Sequence, residues 1–365
     1  MDRRTIVNQL SQEIERNLPS LGAWQALGLA LMVVGLVSEG RSQLSRIADG
    51  LAEAGSYNTV RQRLKRWLSN PRLVCGEWIA WLWRSYGGRR AVLLVDETKL
   101  GDRIGIMRVS LAYGQRAIPL VWRCYYANSA QDYPQQGQVL LIYGLLAHVL
   151  SALPSNARPL VQMDRGLAHS SAMLRALNQL AIDYLVRVKP NARFTSRRGF
   201  SQRLSQWVIP GEAFSVQGTL FTRHHAIRGT ICLIGEGGQA EPWCLFTNVP
   251  RLIGHRYALR WWQEESFKDL KSGGWQWQAS HLACPHRVER LILVMAVAYA
   301  WCITLGTLVC SQPPQLQRHT ATADELARLS LFRLGWRFLK RVLAGVAPPT
   351  PFHLNFPSPP CPARC

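Results

Sequence analysis

Ala91-Val-Leu-Leu-Val95-Asp96 opens a stretch that reads as three consecutive strands, Ala91–Val95, Ile104–Ala112 and Ala117–Tyr125, with Gly114-Gln115 turning the second into the third. Each run is short and rich in aliphatic and β-branched residues, the pattern of a strand meander. Downstream the spacing predicts a helix over Gly137–Leu150, a strand over Leu160–Met163, a helix over Ser170–Leu180 and a strand over Tyr184–Val188. That β-β-β-α-β-α-β order predicts an α/β fold with a ribonuclease-H-like core, in which the ends of the first and fourth strands are neighbours. Both of those strands end at an acid: Val95 leads into Asp96, and Met163 into Asp164-Arg165-Gly166. An Asp after a short apolar run ordinarily just starts a turn, so neither is diagnostic alone.

Residues 190–250 switch to short strands such as Arg228–Ile234 and Trp243–Thr247 between Gly and Pro turns, a β-rich insertion that interrupts the core. Beyond it, Tyr257-Ala-Leu-Arg260-Trp-Trp-Gln-Glu264-Glu-Ser-Phe-Lys268-Asp-Leu-Lys271 places Tyr257, Arg260, Glu264, Lys268 and Lys271 on one stripe of a helix. Leu259, Trp262 and Leu270 fall opposite, as a packing face. Periodicity alone equally fits a solvated face of charge pairs. Three acids from two strand ends and one helix face form a different object. Oxygen-only ligation without paired His or Cys suits hard cations, Mg²⁺ or Mn²⁺. Two such ions can activate a water and stabilise the leaving oxygen in phosphodiester cleavage.

These segments resemble the cut-and-paste DDE transposases of the insertion-sequence-four family. The resemblance rests on Leu94-Val-Asp96-Glu97-Thr98, on Met163-Asp164-Arg165-Gly166 and on the 257–271 segment, and it covers roughly residues 90 to 310. In the last segment Tyr257, Arg260, Glu264 and Lys271 match the family signature at every spacing. The resemblance implies that Asp96, Asp164 and Glu264 are catalytic and hold two Mg²⁺ ions, with Mn²⁺ as a substitute. It implies that Tyr257, Arg260 and Lys271 bind DNA phosphates, and that a tryptophan of the insertion stacks on a flipped base during a hairpin step. Of Trp207 and Trp243, Trp243-Cys-Leu-Phe-Thr247 matches the family's tryptophan strand better. Glu265 adjoins Glu264, but the signature spacing and the rotation of 100° per residue both select Glu264. The implied function is a bacterial insertion-sequence transposase that binds terminal inverted repeats, hydrolyses phosphodiesters and transfers strands. A nuclease of the same fold and a catalytically decayed DNA-binding relative are the alternatives. The presence of all three acids and their basic neighbours speaks against decay.

Lys plus Arg number 43 against 22 Asp plus Glu, a net charge of +21. Such an excess points to a polyanion, here double-stranded DNA as transposon ends and target. The basic excess is present in residues 1–90, 91–310 and 311–365 alike, which excludes a neutral protein carrying one basic arm. Leu291–Cys310 is twenty residues without a charge, long enough to span a bilayer. Bounded by His286-Arg-Val-Glu-Arg290 and following the signature segment, it lies where the resemblance implies a long apolar helix packed on the sheet, and so reads instead as a buried core helix. The shorter Leu21–Val37 contains glycines and begins too far from the N-terminus for a typical signal peptide. The expectation is a cytoplasmic, nucleoid-associated protein without a membrane partner. Nine cysteines form no CxxC pair and nine histidines show no zinc spacing.

Residues 1–90 predict a helical domain, which the resemblance implies is DNA-binding. Leu44, Ile47, Ala48 and Leu51 recur at helical spacing, Gly55 closes that helix and Ser56 caps the next, Tyr57–Leu68. Its Val60, Leu64, Trp67 and Leu68 face inward, leaving Tyr57, Asn58, Arg61 and Lys65 outward. A recognition helix and an ordinary helical hairpin share that pattern; the resemblance points to recognition of transposon ends. Residues 311–345 read as a C-terminal helical region and 346–365, with seven prolines, as a disordered tail whose Cys361 and Cys365 are free thiols. Cutting and joining two ends calls for a homodimer in the DNA complex. The apolar Leu326, Leu329, Phe332, Leu334, Phe338 and Leu339 are its candidate interface.

Overall fold

Five helices come first: α1 (Arg3–Asn17), α2 (Ala23–Glu39), α3 (Leu44–Asp49), α4 (Tyr57–Ser69) and α5 (Glu77–Tyr86). The computed structural model describes residues 3–73, 76–88, 90–127, 137–235, 241–311, 322–348 and 352–357. Ser56 caps α4 as its sequence predicts, its hydroxyl accepting from Thr59 N. Tyr57, Asn58, Arg61 and Lys65 are exposed on this helix, while Val60, Leu64, Trp67 and Leu68 are buried.

The meander follows as β1 (Val92–Leu100), β2 (Ile104–Tyr113) and β3 (Arg116–Tyr126), all antiparallel. Then come α6 (Gly137–Ser151), β4 (Leu160–Met163), α7 (Ser171–Gln179) and β5 (Asp183–Arg187). β4 pairs parallel with β1 and β5 parallel with β4, the pairing that the element order predicts. β1 does not end at Asp96. It pairs with β2 onward through Asp96↔Arg108 to Leu100↔Ile104, whereas its parallel pairing with β4 stops at Val95↔Met163. Asp96 thus lies at the end of the parallel ladder, inside a longer antiparallel one.

The insertion supplies β6 (Arg193–Ser196), β7 (Ser201–Arg203), β8 (Ala213–Leu220), β9 (Ile227–Ile234) and β10 (Trp243–Thr247). It extends the core rather than interrupting it. β10 pairs antiparallel with β5, from Leu245↔Arg187 to Thr247↔Leu185, giving one ten-stranded sheet in the order β3-β2-β1-β4-β5-β10-β9-β8-β6-β7. The free edge of β5 would otherwise leave backbone groups unpaired, and β10 covers it.

Among the described residues the remaining α-helices are α8 (Trp261–Leu270), α9 (Pro285–Ser311), α10 (Ala323–Arg328) and α11 (Leu331–Leu343). α9 is long and apolar enough to cross a membrane, yet 94% of its most apolar window is buried against the sheet, α2, α4 and α11. The crossing of α9 and α11 is made at glycines. A Cβ on Gly335 would stand 1.7 Å from the Cys302 carbonyl oxygen, and one on Gly306 1.9 Å from that of Leu331. Phe332, Leu334, Phe338 and Leu339 are consequently buried here, so this apolar face is core and not a surface left for a second copy. Among the described residues the N-terminal helices enclose no separate core: α2 and α4 share one apolar cluster with α9 and α11, and Trp336 Nε1 donates to Val37 O at 2.9 Å.

The Pro-rich tail is partly ordered. Phe352, Leu354 and Phe356 alternate with polar residues in an extended segment and are buried. Phe352 meets Trp301 edge to face at 4.7 Å, Phe356 N donates to Ser85 O at 3.0 Å, and Tyr113 OH donates to Pro357 O at 2.7 Å. Three apolar anchors at period two offset the ordering entropy that prolines alone would leave uncompensated. Residues 349–351 and 358–365, including Cys361 and Cys365, lie outside the described residues.

Candidate active site

Strand parity fixes which side chains share a face. Leu94, with Ala112 and Ala117, packs beneath Trp262 of α8, so Asp96 two residues on faces the same side. On β4 that face carries Leu160 and Gln162, and Asp164 follows them past the strand end. Asp164 folds back on its own loop, its Oδ1 accepting from Gly166 N at 2.9 Å and Leu167 N at 3.1 Å. Asp96 Oδ1 accepts from Glu97 N at 2.9 Å.

The third acid arrives by a broken helix. Gly254–Arg260 is 3₁₀ and the α-helix begins only at Trp261, so the single stripe expected over 257–271 does not form. Tyr257 is buried instead. Its hydroxyl donates to Met163 O at 3.2 Å, directly before Asp164, and its ring meets Trp243 edge to face at 5.3 Å. Burial pushes the phenol well above its usual range. Trp243 is half-buried in this pair. Gln162 Nε2 donates to Arg256 O at 2.8 Å and ties the 3₁₀ turn to β4. Lys271 caps the end of α8 and donates to Thr98 Oγ1 at 2.8 Å, held below its ordinary pKa by burial and by Arg108.

Asp96, Asp164 and Glu264 meet around one guanidinium. Arg260 Nη2 lies 3.0 Å from Asp96 Oδ2 and 3.6 Å from Asp164 Oδ2, and Nη1 lies 2.7 Å from Glu264 Oε1. Glu265 turns away toward Arg116 at 3.7 Å, beside the buried Arg116–Asp269 pair at 2.6 Å. Geometry therefore brings Glu264, and not Glu265, to the two aspartates.

Arg108 escaped the sequence reading. It is fully buried opposite Asp96, its guanidinium carbon 4.1 Å above the Phe267 ring. With the amide oxygen of Gln263 turned toward it, that oxygen accepts from Arg108 Nη2 at 3.3 Å and Nε at 3.2 Å. Burial pushes Arg108 down to about 10, and Asp96 pulls it back up. The available signal was one cation in a strand whose ten residues are all buried.

Among the described residues no three acidic, imidazole or thiol side chains converge as they stand to hold a metal ion. The guanidinium occupies that point. Three carboxylates around one cation nevertheless supply the oxygen donors that a hard divalent ion takes, so the residues fit such an ion once Arg260 moves.

Burial pushes Asp96 up to about 6 from 3.8, with Arg260 opposing and Asp164 adding to the rise. Its protonated form is thus favoured by folding. That stabilisation is present below about pH 4 and is lost as the pH rises through 6, a cost of about 3 kcal/mol at neutral pH. Asp96→Asn should therefore raise metal-free stability by about 1–3 kcal/mol at pH 7.5, with the gain fading toward pH 4. Urea melts at both pH values measure it, and no gain at pH 7.5 would contradict the burial argument.

Residues 94–301 match the family model described as Transposase DDE domain, a span that starts two residues before Asp96, includes the insertion and ends in α9. No curated protein matches the chain. The matched span covers more than half of the 365 residues and contains all three clustered acids, so the chain belongs to the transposase DDE-domain family.

Proposed function

We propose that the chain is a cut-and-paste transposase of the insertion-sequence-four kind, which binds the terminal inverted repeats of a bacterial element and cuts and rejoins DNA at Asp96, Asp164 and Glu264. The observation that carries this reading is the meeting of three acids from β1, the end of β4 and α8 around a single cation. The three acids would hold two Mg²⁺ or Mn²⁺ ions, which when bound supply an activated water and stabilise the leaving oxygen. Arg260 offers a fork and Lys271 a point charge to the backbone phosphates beside the cut. Tyr257, with its hydroxyl engaged by Met163 O, serves the phosphate site indirectly by holding the β4 end.

The exposed Tyr57, Asn58, Arg61 and Lys65 of α4 supply end recognition, and the working form is a homodimer on DNA in the cytoplasm, associated with the nucleoid. Arg61→Ala with Lys65→Ala should lower the salt slope of end-DNA binding by about two, one for each lost phosphate contact. A slope unchanged by the double substitution removes α4 from the DNA path.

The test is a time course on end-labelled duplexes carrying the repeats that flank the gene, in Mg²⁺. Cleavage at the element boundary followed by joining to target supports transposition. Cleavage without joining identifies a nuclease, and binding without cleavage a decayed copy. The same assay addresses Trp243, whose accessible side is proposed to stack on a flipped base in a hairpin step. Trp243→Ala is expected to leave first-strand nicking near normal and delay the hairpin product, while Trp207→Ala, packed between Phe194 and Phe200, does neither. Equal loss of nicking and hairpin would assign Trp243 to packing against Tyr257.

A further inference from the structure

Arg260 joins the three carboxylates, reaching Asp96 at 3.0 Å, Asp164 at 3.6 Å and Glu264 at 2.7 Å. Carboxylates that share a site repel one another, and a cation among them relieves that repulsion. With the guanidinium at their centre, the acids do not form a set able to hold a metal ion.

Arg260 Nε–H is buried and has no acceptor among the described residues, although both Nη atoms are engaged. Arginine grips an anionic oxygen pair bidentately through two parallel N–H groups, and an edge formed by Nε and one Nη fits a phosphate in that way. A phosphate arriving at this site would therefore satisfy an atom that the carboxylates leave bare. Arg260 is also the last residue of the 3₁₀ turn and the N-cap of α8. Its long side chain leaves from a backbone junction and can swing without moving Glu264 on the helix. Arg108, the other cation beside Asp96, is held on Phe267 and Gln263 and is fully buried, so it cannot make the same exchange.

Resting on the reading of Asp96, Asp164 and Glu264 as metal ligands, we infer that Arg260 is a latch. In the DNA-free protein its guanidinium serves as the internal counter-ion of the triad and keeps divalent ions out. A DNA phosphate draws it away, and metal occupancy then follows DNA occupancy. The role belongs to a positioning residue, acting on the ligands before any bond is cut.

Calorimetric titration of the full chain with Mn²⁺ alone, without DNA, tests this by a readout independent of cleavage. Arg260→Gln should bind Mn²⁺ on the order of tenfold more tightly than the native chain, or better. Adding Asp96→Asn to Arg260→Gln should abolish the gain. A merely structural arginine would give weaker binding on removal, not tighter. Equal affinity in the native chain and Arg260→Gln overturns the latch and leaves the triad reading standing. A gain in Arg260→Gln that survives Asp96→Asn places the ion elsewhere and overturns the triad reading. Should Arg260→Gln fail to fold, Arg260→Met keeps an unbranched side chain and removes its charge. It too should gain affinity for Mn²⁺, and no gain overturns the latch.

Discussion

Asp96→Asn, Asp164→Asn and Glu264→Gln are each expected to lower Mg²⁺-dependent cleavage of end DNA by about a thousandfold or more, roughly 4 kcal/mol of barrier. Binding of the same DNA should change little, because on the proposed reading affinity would come from the distributed basic surface and not from three acids. Glu265→Ala is the built-in comparison. Its side chain faces Arg116 at 3.7 Å and not the aspartates, and its loss should cost cleavage only a few-fold. Gel assays of cleavage and binding on one substrate settle the matter. A dead Glu265→Ala beside an active Glu264→Gln would sink the assignment of the third acid.

The second large effect concerns stability. Gly335→Val is expected to prevent the chain from folding at ordinary temperature. The new Cβ would meet the Cys302 carbonyl at 1.7 Å and Gly306 N at 2.7 Å, all backbone atoms that no rotamer change can remove. α11 would have to lift from α9, uncovering Phe332, Phe338 and Leu339, each at most 1% exposed. Overpacking of this kind costs about 4 kcal/mol or more when the obstacle is backbone, against a total stability of roughly 5–15 kcal/mol. Gly144→Ala in α6 has nothing within 4 Å of its Cβ and should be neutral or stabilising by about 0.5–1 kcal/mol. Soluble yield and urea midpoints separate the two, and a Gly335→Val chain as stable as the native one would refute the close crossing.

Elements with their own periodicity were legible in the sequence. The three meander strands, β4, β5, α6, α7 and β10 lie where alternating and helical spacing placed them, within a few residues at the ends. The meeting of Asp96 and Asp164 followed from the order of those elements, since parallel pairing of the first and fourth strands leaves both acids at one edge. What failed was whatever depended on distant partners. Spacing put Tyr257 on a chemical stripe, but a 3₁₀ turn rotates it into contact with Met163 O and Trp243. Proline count argued for a loose tail, but Phe352, Leu354 and Phe356 find a groove made by α5, α9 and β2. The apolar face of α11 suggested a partner chain, and its partner is α9 of the same chain. Arg108 passed unnoticed because a buried charge reads as an error in a strand until its neighbours Phe267, Gln263 and Asp96 are known.

The way the last elements close over the first has a consequence for synthesis. Arg3 Nε donates to Leu343 O, Trp336 to Val37 O and Phe356 N to Ser85 O, joining residues hundreds of positions apart. α9 ends at Ser311, and the segment that completes its cover reaches Phe356, about 45 residues later. At a translation rate of roughly 5–20 residues per second, this long apolar helix waits on the order of 2–9 s for its lid. Closure of the fold thus waits on residues through Phe356, and nascent chains arrested before Phe356 are expected to be held by chaperones rather than released as folded protein.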